Sequence, residues 1–249
     1  MKYKVLCLMI LAAIAFYCFI TGFAAPGYEP ENDPPEVRII TPRNNSSFQW
    51  NTTVNYTIRI SDKEDGTSEY NEIPGGEVIL KIVYLPDSSN IKKYLDDNAH
   101  NANSEPAGLS LLKTFECFTC HGSKNKLIGP SFDLIAKRYP TNTTSIEMLA
   151  NKLIKGSSGV WGNKPMPAHP GLKTYQAKEI IRWLLDNNRD PDITYLTGIQ
   201  GAFRTKQKPT REAGKGVYIL EASYTDHGLK GLPQSCKRGE DIIILKNYQ

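Results

Sequence analysis

Disulfide scaffolding is missing from this sequence. Only five cysteines occur in 249 residues, and two of them, Cys7 and Cys18, fall within the first 20. That leaves Cys117, Cys120 and Cys236 for the body of the chain, too few for a cross-linked framework. Charge of one sign is scarce as well: a formal net charge of +4 is too weak to argue for nucleic acid or an anionic membrane surface. Of the four histidines, His100, His169 and His227 stand at no ligand spacing from the Cys117/Cys120 pair, so a zinc site would lack its second half. No nucleophile constellation and no catalytic pair of carboxylates is present, which leaves substrate chemistry without residues to carry it.

What is present begins at the N-terminus. Lys2 and Lys4 precede an apolar run over residues 5–20, followed by small residues around Gly22, Ala24 and Ala25. This pattern reads as an export signal over residues 1–25, cleaved after Ala24 or Ala25. The run also reaches the ~20 apolar residues that span a bilayer, so retention as an N-terminal anchor is the alternative. Tyr17 is bulky where a lipidation site at Cys18 would take a small residue. Residues 26–35, with Glu29-Pro30-Glu31-Asn32-Asp33-Pro34-Pro35, are charged, proline-rich and without apolar periodicity, as in an extended linker.

From Glu36 the pattern changes to strands. Val37-Arg38-Ile39-Ile40, Thr53-Val54-Asn55-Tyr56-Thr57-Ile58-Arg59-Ile60 and Val78-Ile79-Leu80-Lys81-Ile82-Val83-Tyr84 are β-branched and aromatic, and the middle one alternates at period two. The acidic stretch between the last two, Asp62-Lys63-Glu64-Asp65-Gly66 with Glu69 and Glu72, reads as a solvated turn and lacks the spacing of a helix-loop-helix calcium site. Over residues 104–188 the rhythm is helical. Leu109, Leu112 and Phe115, then Phe132, Leu134, Ile135 and Tyr139, then Ile146, Leu149, Leu153 and Ile154, and finally Ala177, Ile180, Ile181, Leu184 and Leu185 form successive apolar faces. Met148, between Ile146 and Leu149, reads as a core residue of the third face. Strands return in Gly216-Val217-Tyr218-Ile219-Leu220-Glu221-Ala222-Ser223-Tyr224 and Asp241-Ile242-Ile243-Ile244-Leu245, with a weaker one over residues 198–206.

Neither β segment is long enough to stand alone. The Val-x-Ile-x-x-Pro-x-Asn run from Val37 to Asn44 resembles the opening of bacterial immunoglobulin-like domains. Gly216-Val217-Tyr218-Ile219-Leu220-Glu221-Ala222 with Asp226-His227-Gly228 resembles their penultimate strand, and Tyr218 their tyrosine-corner residue. Residues 34–86 and 199–249 are 53 and 51 long, together close to the ~100 of one sandwich. The resemblance implies a multidomain chain: an all-α domain inserted into an all-β immunoglobulin-like sandwich, since insertion needs only chain ends that lie close together. The sandwich would occupy residues 36–86 and 199–249, and the insertion residues 87–198 with a core over 104–188. The plain alternative is two small unrelated β regions.

The insertion carries Cys117-Phe118-Thr119-Cys120-His121, the C-x-x-C-H pattern of covalent haem attachment. One helical turn presents both thiols to the two vinyl groups of haem, and the histidine that follows lies under the iron. Forty-five residues on, Lys164-Pro165-Met166-Pro167 offers a thioether on a loop stiffened by proline on both sides. His and Met together make a six-coordinate iron with a raised potential, suited to one-electron transfer.

With Gly129-Pro130 following the histidine and Trp161-Gly162 ahead of the methionine, the region resembles the class I, bacterial short-chain, cytochromes c. The resemblance implies one covalent haem c, held by Cys117 and Cys120, with His121 and Met166 as iron ligands. It implies further that the Pro130 carbonyl accepts a hydrogen bond from the His121 imidazole, and that the Trp161 indole donates to a haem propionate; a core tryptophan is the alternative there. His169 reads as an exposed loop residue, with replacement of Met166 as a ligand the alternative, and Cys236 as buried and inert, with coupling to another chain the alternative.

The function implied is a periplasmic one-electron shuttle and not an enzyme, serving a periplasmic dehydrogenase or a terminal oxidase, with a membrane link only through an uncleaved anchor. Lys124, Lys126 and Lys164 would border the docking face, so electron-transfer rates are expected to fall with added salt; rates insensitive to ionic strength would count against an acidic partner. A second reading makes the sandwich primary, as a carbohydrate- or protein-binding module with haem as sensor or tether, and requires an exposed aromatic strip from Phe48, Trp50 and Tyr56. A third, a peroxidase, requires an open sixth position, against which Met166 argues.

Overall fold

Two β-sheets pack against each other over an apolar core whose strands come from both ends of the chain. The structure, a computed structural model, describes residues 31–99, 104–210, 214–232 and 235–247. The segment expected to be an export signal, the first half of the linker and His100 lie outside the described residues. Asn32–Gln249 forms one compact unit.

In the first sheet β1 (Glu36–Thr41) runs antiparallel to β3 (Thr53–Asp62), which also pairs with β4 (Gly66–Thr67) and β9 (Gln200–Arg204). The second sheet has the order β2-β11-β10-β5-β8, made of β2 (Ser47–Phe48), β11 (Arg238–Asn247), β10 (Val217–Thr225), β5 (Ile79–Leu85) and β8 (Ile193–Thr197). Its pairs are antiparallel except β2, which runs parallel to β11. In β3 the period-two pattern becomes geometry: Tyr56, Ile58 and Ile60 point inward and are buried, while Asn55, Thr57 and Arg59 are exposed. They meet Leu80, Ile82, Tyr218, Leu220 and Leu245 of the other sheet in one core.

β10 is buried on nearly every residue from Val217 to Tyr224, which requires cover on both faces of the sheet. The cover is the helical unit that leaves the chain between β5 and β8. It comprises α1 (Ile91–Ala99), α2 (Ala107–Thr114), α3 (Cys117–Cys120), α4 (Phe132–Arg138), α5 (Thr143–Lys155) and α6 (Thr174–Asn187). α2 crosses α6 closely because position 108 is glycine: a Cβ there would lie 2.4 Å from Trp183 Cβ and 2.5 Å from Glu179 O. Asn142 caps α5 by accepting from Ser145 N–H at 2.8 Å.

The two units share packing. Ile79 of β5 and Tyr195 of β8 belong to the helical core, and the Tyr195 and Trp183 rings meet edge-on at 5.0 Å between centroids. Tyr94 of α1 donates to Glu221 at 2.6 Å and accepts from Lys81 Nζ at 2.7 Å, both on the outer sheet face. Lys113 donates to the Glu77 carbonyl at 2.9 Å and pairs with Glu105 at 2.8 Å, with both side chains only 7% exposed.

Several expectations change. The β part resumes at Ile193 rather than Ile199, because β8 pairs with β5 from Ile79↔Thr197 to Val83↔Ile193. The insertion is not wholly helical: β6 (Ser157–Gly159) and β7 (Gly162–Met166) form a hairpin. Met148 is 37% exposed and Leu134 43%, so neither is core; on α5 the buried stripe is Ile146, Leu149, Ala150 and Leu153. Cys236 is exposed, not buried. Phe48 and Tyr56 are 2% and 3% exposed and Trp50 packs against the core, so these three form no surface strip.

Candidate haem site

α3 is a single turn set off from α2 by Glu116, whose φ of 51° breaks the preceding helix. It carries Cys117 and Cys120 at its two ends, and His121 N–H closes it on Cys117 O at 3.0 Å. The following loop folds back on the turn: Gly129 N–H donates to Cys120 O at 2.9 Å, and Phe132 N–H to Gly122 O at 2.9 Å. This return brings Gly129 so near the His121 ring that a Cβ would stand 2.4 Å from Cε1. Only hydrogen fits there.

His121 Nδ1 lies 2.7 Å from Pro130 O. A carbonyl can only accept, so Nδ1 carries the proton and Nε2 keeps its lone pair, the tautomer a metal-ligating imidazole requires. Burial holds the His121 pKa below its ordinary value, opposed by the Pro130 hydrogen bond and helped by the nearby His169 charge. The ring is therefore neutral near pH 7. It stacks on Phe132 at 5.6 Å and 15° between planes, and Phe132 in turn meets Phe118 edge-on. Burial pushes the Cys117 thiol up to about 11, so the unmodified side chain is a neutral group on an apolar wall.

Cys117, Cys120, His121, Pro130, Trp161 and Met166 all line one open cleft with a cavity volume of about 140 Å³. Met166 ends β7, half-buried and paired with Ser157. Gly156, with φ of 77°, lets this segment approach: a Cβ there would lie 2.9 Å from Met166 O. Trp161 is 37% exposed, with the Arg138 guanidinium 4.8 Å above its ring, an arrangement unlike a core tryptophan. The Arg138 partnership has no signal in the sequence, whereas Gly129 is visible there beside Pro130, though its closeness to the His121 ring is not.

Other candidates are drawn elsewhere. His169 is half-buried, its Nδ1 at 3.3 Å from Leu153 O, and does not line the cleft. Lys124 donates to Asp190 O at 2.6 Å and is turned from the cleft mouth, while Lys126 and Lys164 are exposed. In the acidic turn, Asp62 accepts from Glu64 and Asp65 N–H at 2.9 and 2.8 Å, and Asp65 from the Tyr224 hydroxyl at 2.7 Å. Among the described residues no group of three or more His, Cys, Asp and Glu side chains is placed to hold a metal ion.

A one-turn C-x-x-C-H segment, a carbonyl behind the histidine and a cleft in a helical unit define a c-type haem protein. Residues 107–188 match the family model described as cytochrome c. Cytochrome c-552 of Hydrogenobacter thermophilus is 38% identical over 79 residues, 32% of this chain and 80% of that protein. Cytochrome c-551 of Azotobacter vinelandii is 38% identical over 78 residues, 31% of this chain and 94% of that protein. The crystal structure of wild-type Nitrosomonas europaea cytochrome c552 aligns at 36% identity and a TM-score of 0.30, over 31% of this chain and 95% of that one. The chain belongs to the cytochrome c family through this region. It carries one covalently attached haem c and serves haem-based electron transfer with redox partners.

Proposed function

We propose that the protein is an exported one-electron carrier, in which Cys117 and Cys120 would hold the haem covalently and His121 and Met166 would ligate its iron. When bound, haem c supplies the Fe(III)/Fe(II) couple. The observation that carries the reading is the 2.7 Å contact from His121 Nδ1 to Pro130 O, in a cleft also lined by Met166. Pro130 fixes the ring and raises the basicity of Nε2. The prolines beside Met166 and the β6–β7 pairing hold its sulfur; the apolar wall of Leu112, Phe132, Ile180 and Leu184 excludes water. Trp161, at the cleft edge, is the donor proposed for a haem propionate.

Changing Met166→Ala is expected to abolish the methionine-to-iron charge-transfer band of the oxidised protein and to lower its reduction potential markedly. Oxidised and reduced spectra and a redox titration read this directly; a spectrum indistinguishable from the parent would exclude Met166 as the ligand.

The β unit is proposed to be an immunoglobulin-like sandwich split by the cytochrome c unit. Supporting this are the sheet order β2-β11-β10-β5-β8 and the parallel β2–β11 pair; the Tyr218 hydroxyl accepts from Lys206 N–H at 2.7 Å, 12 residues upstream, farther than a tyrosine corner reaches. The burial of Phe48 and Tyr56 takes support from a carbohydrate-binding role. The site of action proposed is the periplasm, reached through residues 1–25; among the described residues no helix is long and apolar enough to cross a membrane. Lys126 and Lys164 flank the proposed docking face for a dehydrogenase or terminal oxidase.

A further inference from the structure

The helical and β units enclose a second cleft, distinct from the one that holds the haem-site residues. Its cavity volume is about 440 Å³, against about 140 Å³ for the first. Pro191, Leu196 and Ala202 contribute an apolar floor, and Lys124, Arg204 and Lys206 bring three cations against one carboxylate, Asp192. Lys206 is already paired with Asp192 and lies 4.5 Å over the Tyr84 ring.

The other two cations are neutralised by nothing comparable. Lys124 Nζ donates to a neutral group, the Asp190 carbonyl, and Arg204 Nε likewise donates to the Asn51 amide oxygen at 2.9 Å. Among the described residues neither forms an ion pair. Asp133, Asp190 and Asp192 favour the Lys124 charge from a distance, yet burial prevails and holds its pKa below the ordinary value. A desolvated ammonium gains more from an anion than an exposed one does. With Nε engaged by Asn51, the outer nitrogens of Arg204 remain as a planar pair of donors that matches a carboxylate. An inorganic anion would leave the apolar surface of Pro191, Leu196 and Ala202 uncovered, so the ligand needs a carbon body as well.

We infer that this cleft is a binding site for a small organic carboxylate, held by Arg204 and Lys124 and seated on the apolar floor. Its consequence reaches the iron site. Lys124 and Asn125 belong to the loop that begins at His121, and Ser123 in the same loop accepts from Tyr195 N–H at 3.1 Å and donates to Asn188 at 3.3 Å. A ligand on Lys124 therefore bears on the segment that holds the histidine, from a cleft only the fused chain creates.

The test is calorimetric titration of the haem-loaded full chain with benzoate, with succinate and with inorganic phosphate. Expected are saturable binding of at least one carboxylate below about 10 mM, weaker binding of phosphate, and a loss of about tenfold on Arg204→Gln, one charged hydrogen bond removed. Lys124→Gln is a second variant with the same expected direction, read if R204Q does not fold. Binding of neither carboxylate, phosphate as tight as both, or carboxylate affinity unchanged in the folded variants would overturn the assignment.

Discussion

Alanine at position 129 is expected to detach the His121 ring from its backbone acceptor while leaving haem on the chain. The new Cβ would stand 2.4 Å from Cε1, 2.8 Å from Nδ1 and 3.0 Å from Nε2, all inside contact distance, so the ring must turn or the loop must lift. Either movement breaks the 2.7 Å hydrogen bond to Pro130. Cys117 and Cys120 precede this loop, and the atoms nearest the added methyl group all belong to His121, so the haem stain of a denaturing gel should persist. The oxidised spectrum and the potential should change, and stability should fall by about 1–3 kcal/mol, the cost of overpacking. A G129A protein with the parent's spectrum and unfolding curve would mean that the close fit does not hold the ring.

Glu105→Ala is expected to produce the largest loss of stability. Its carboxylate meets Lys113 at 2.8 Å with both side chains 7% exposed, and that ammonium also donates to the Glu77 carbonyl. Removing one partner of a buried pair costs about 3–5 kcal/mol. At about 2–4 °C per kcal/mol for a chain of this size, the midpoint of thermal unfolding should drop by about 10 °C. The double variant with Lys113→Met removes the stranded charge and should recover part of the loss. Equal instability of the single and double variants would place the cause elsewhere.

Legibility from sequence followed the range of the interactions. The haem motif could be read because covalent chemistry fixes the spacing of Cys117, Cys120 and His121, and β3 because its alternation is local. α1 was not read: it holds few apolar residues, and its anchor is Tyr94 bonded to Lys81 and Glu221, partners 13 and 127 residues away. The β6–β7 hairpin was missed because Ser157-Ser158-Gly159 has little strand propensity. β8 was hidden because its pairing with β5 spans the whole insertion. Lys124 read as a surface charge, and only the fold brings Asp190, 66 residues away, to its ammonium. Met148 sat at helical spacing, but the stripe that meets the core runs through Leu149 and Ala150 instead.

The strands that bracket the insertion are neighbours, with Val83 directly opposite Ile193. Adjacent strands lie roughly 4.8 Å apart, so the haem unit leaves and re-enters the β unit through a gap no wider than an ordinary hairpin turn. Two pivots that close together, braced by Tyr195 against Trp183, give the haem head no sweep. A single flexible tether would let the cofactor search for its acceptor while the body stayed still, raising its local concentration. Here the haem unit and the β unit must approach as one piece, and the frequency of productive encounters is governed by tumbling of residues 32–249 together.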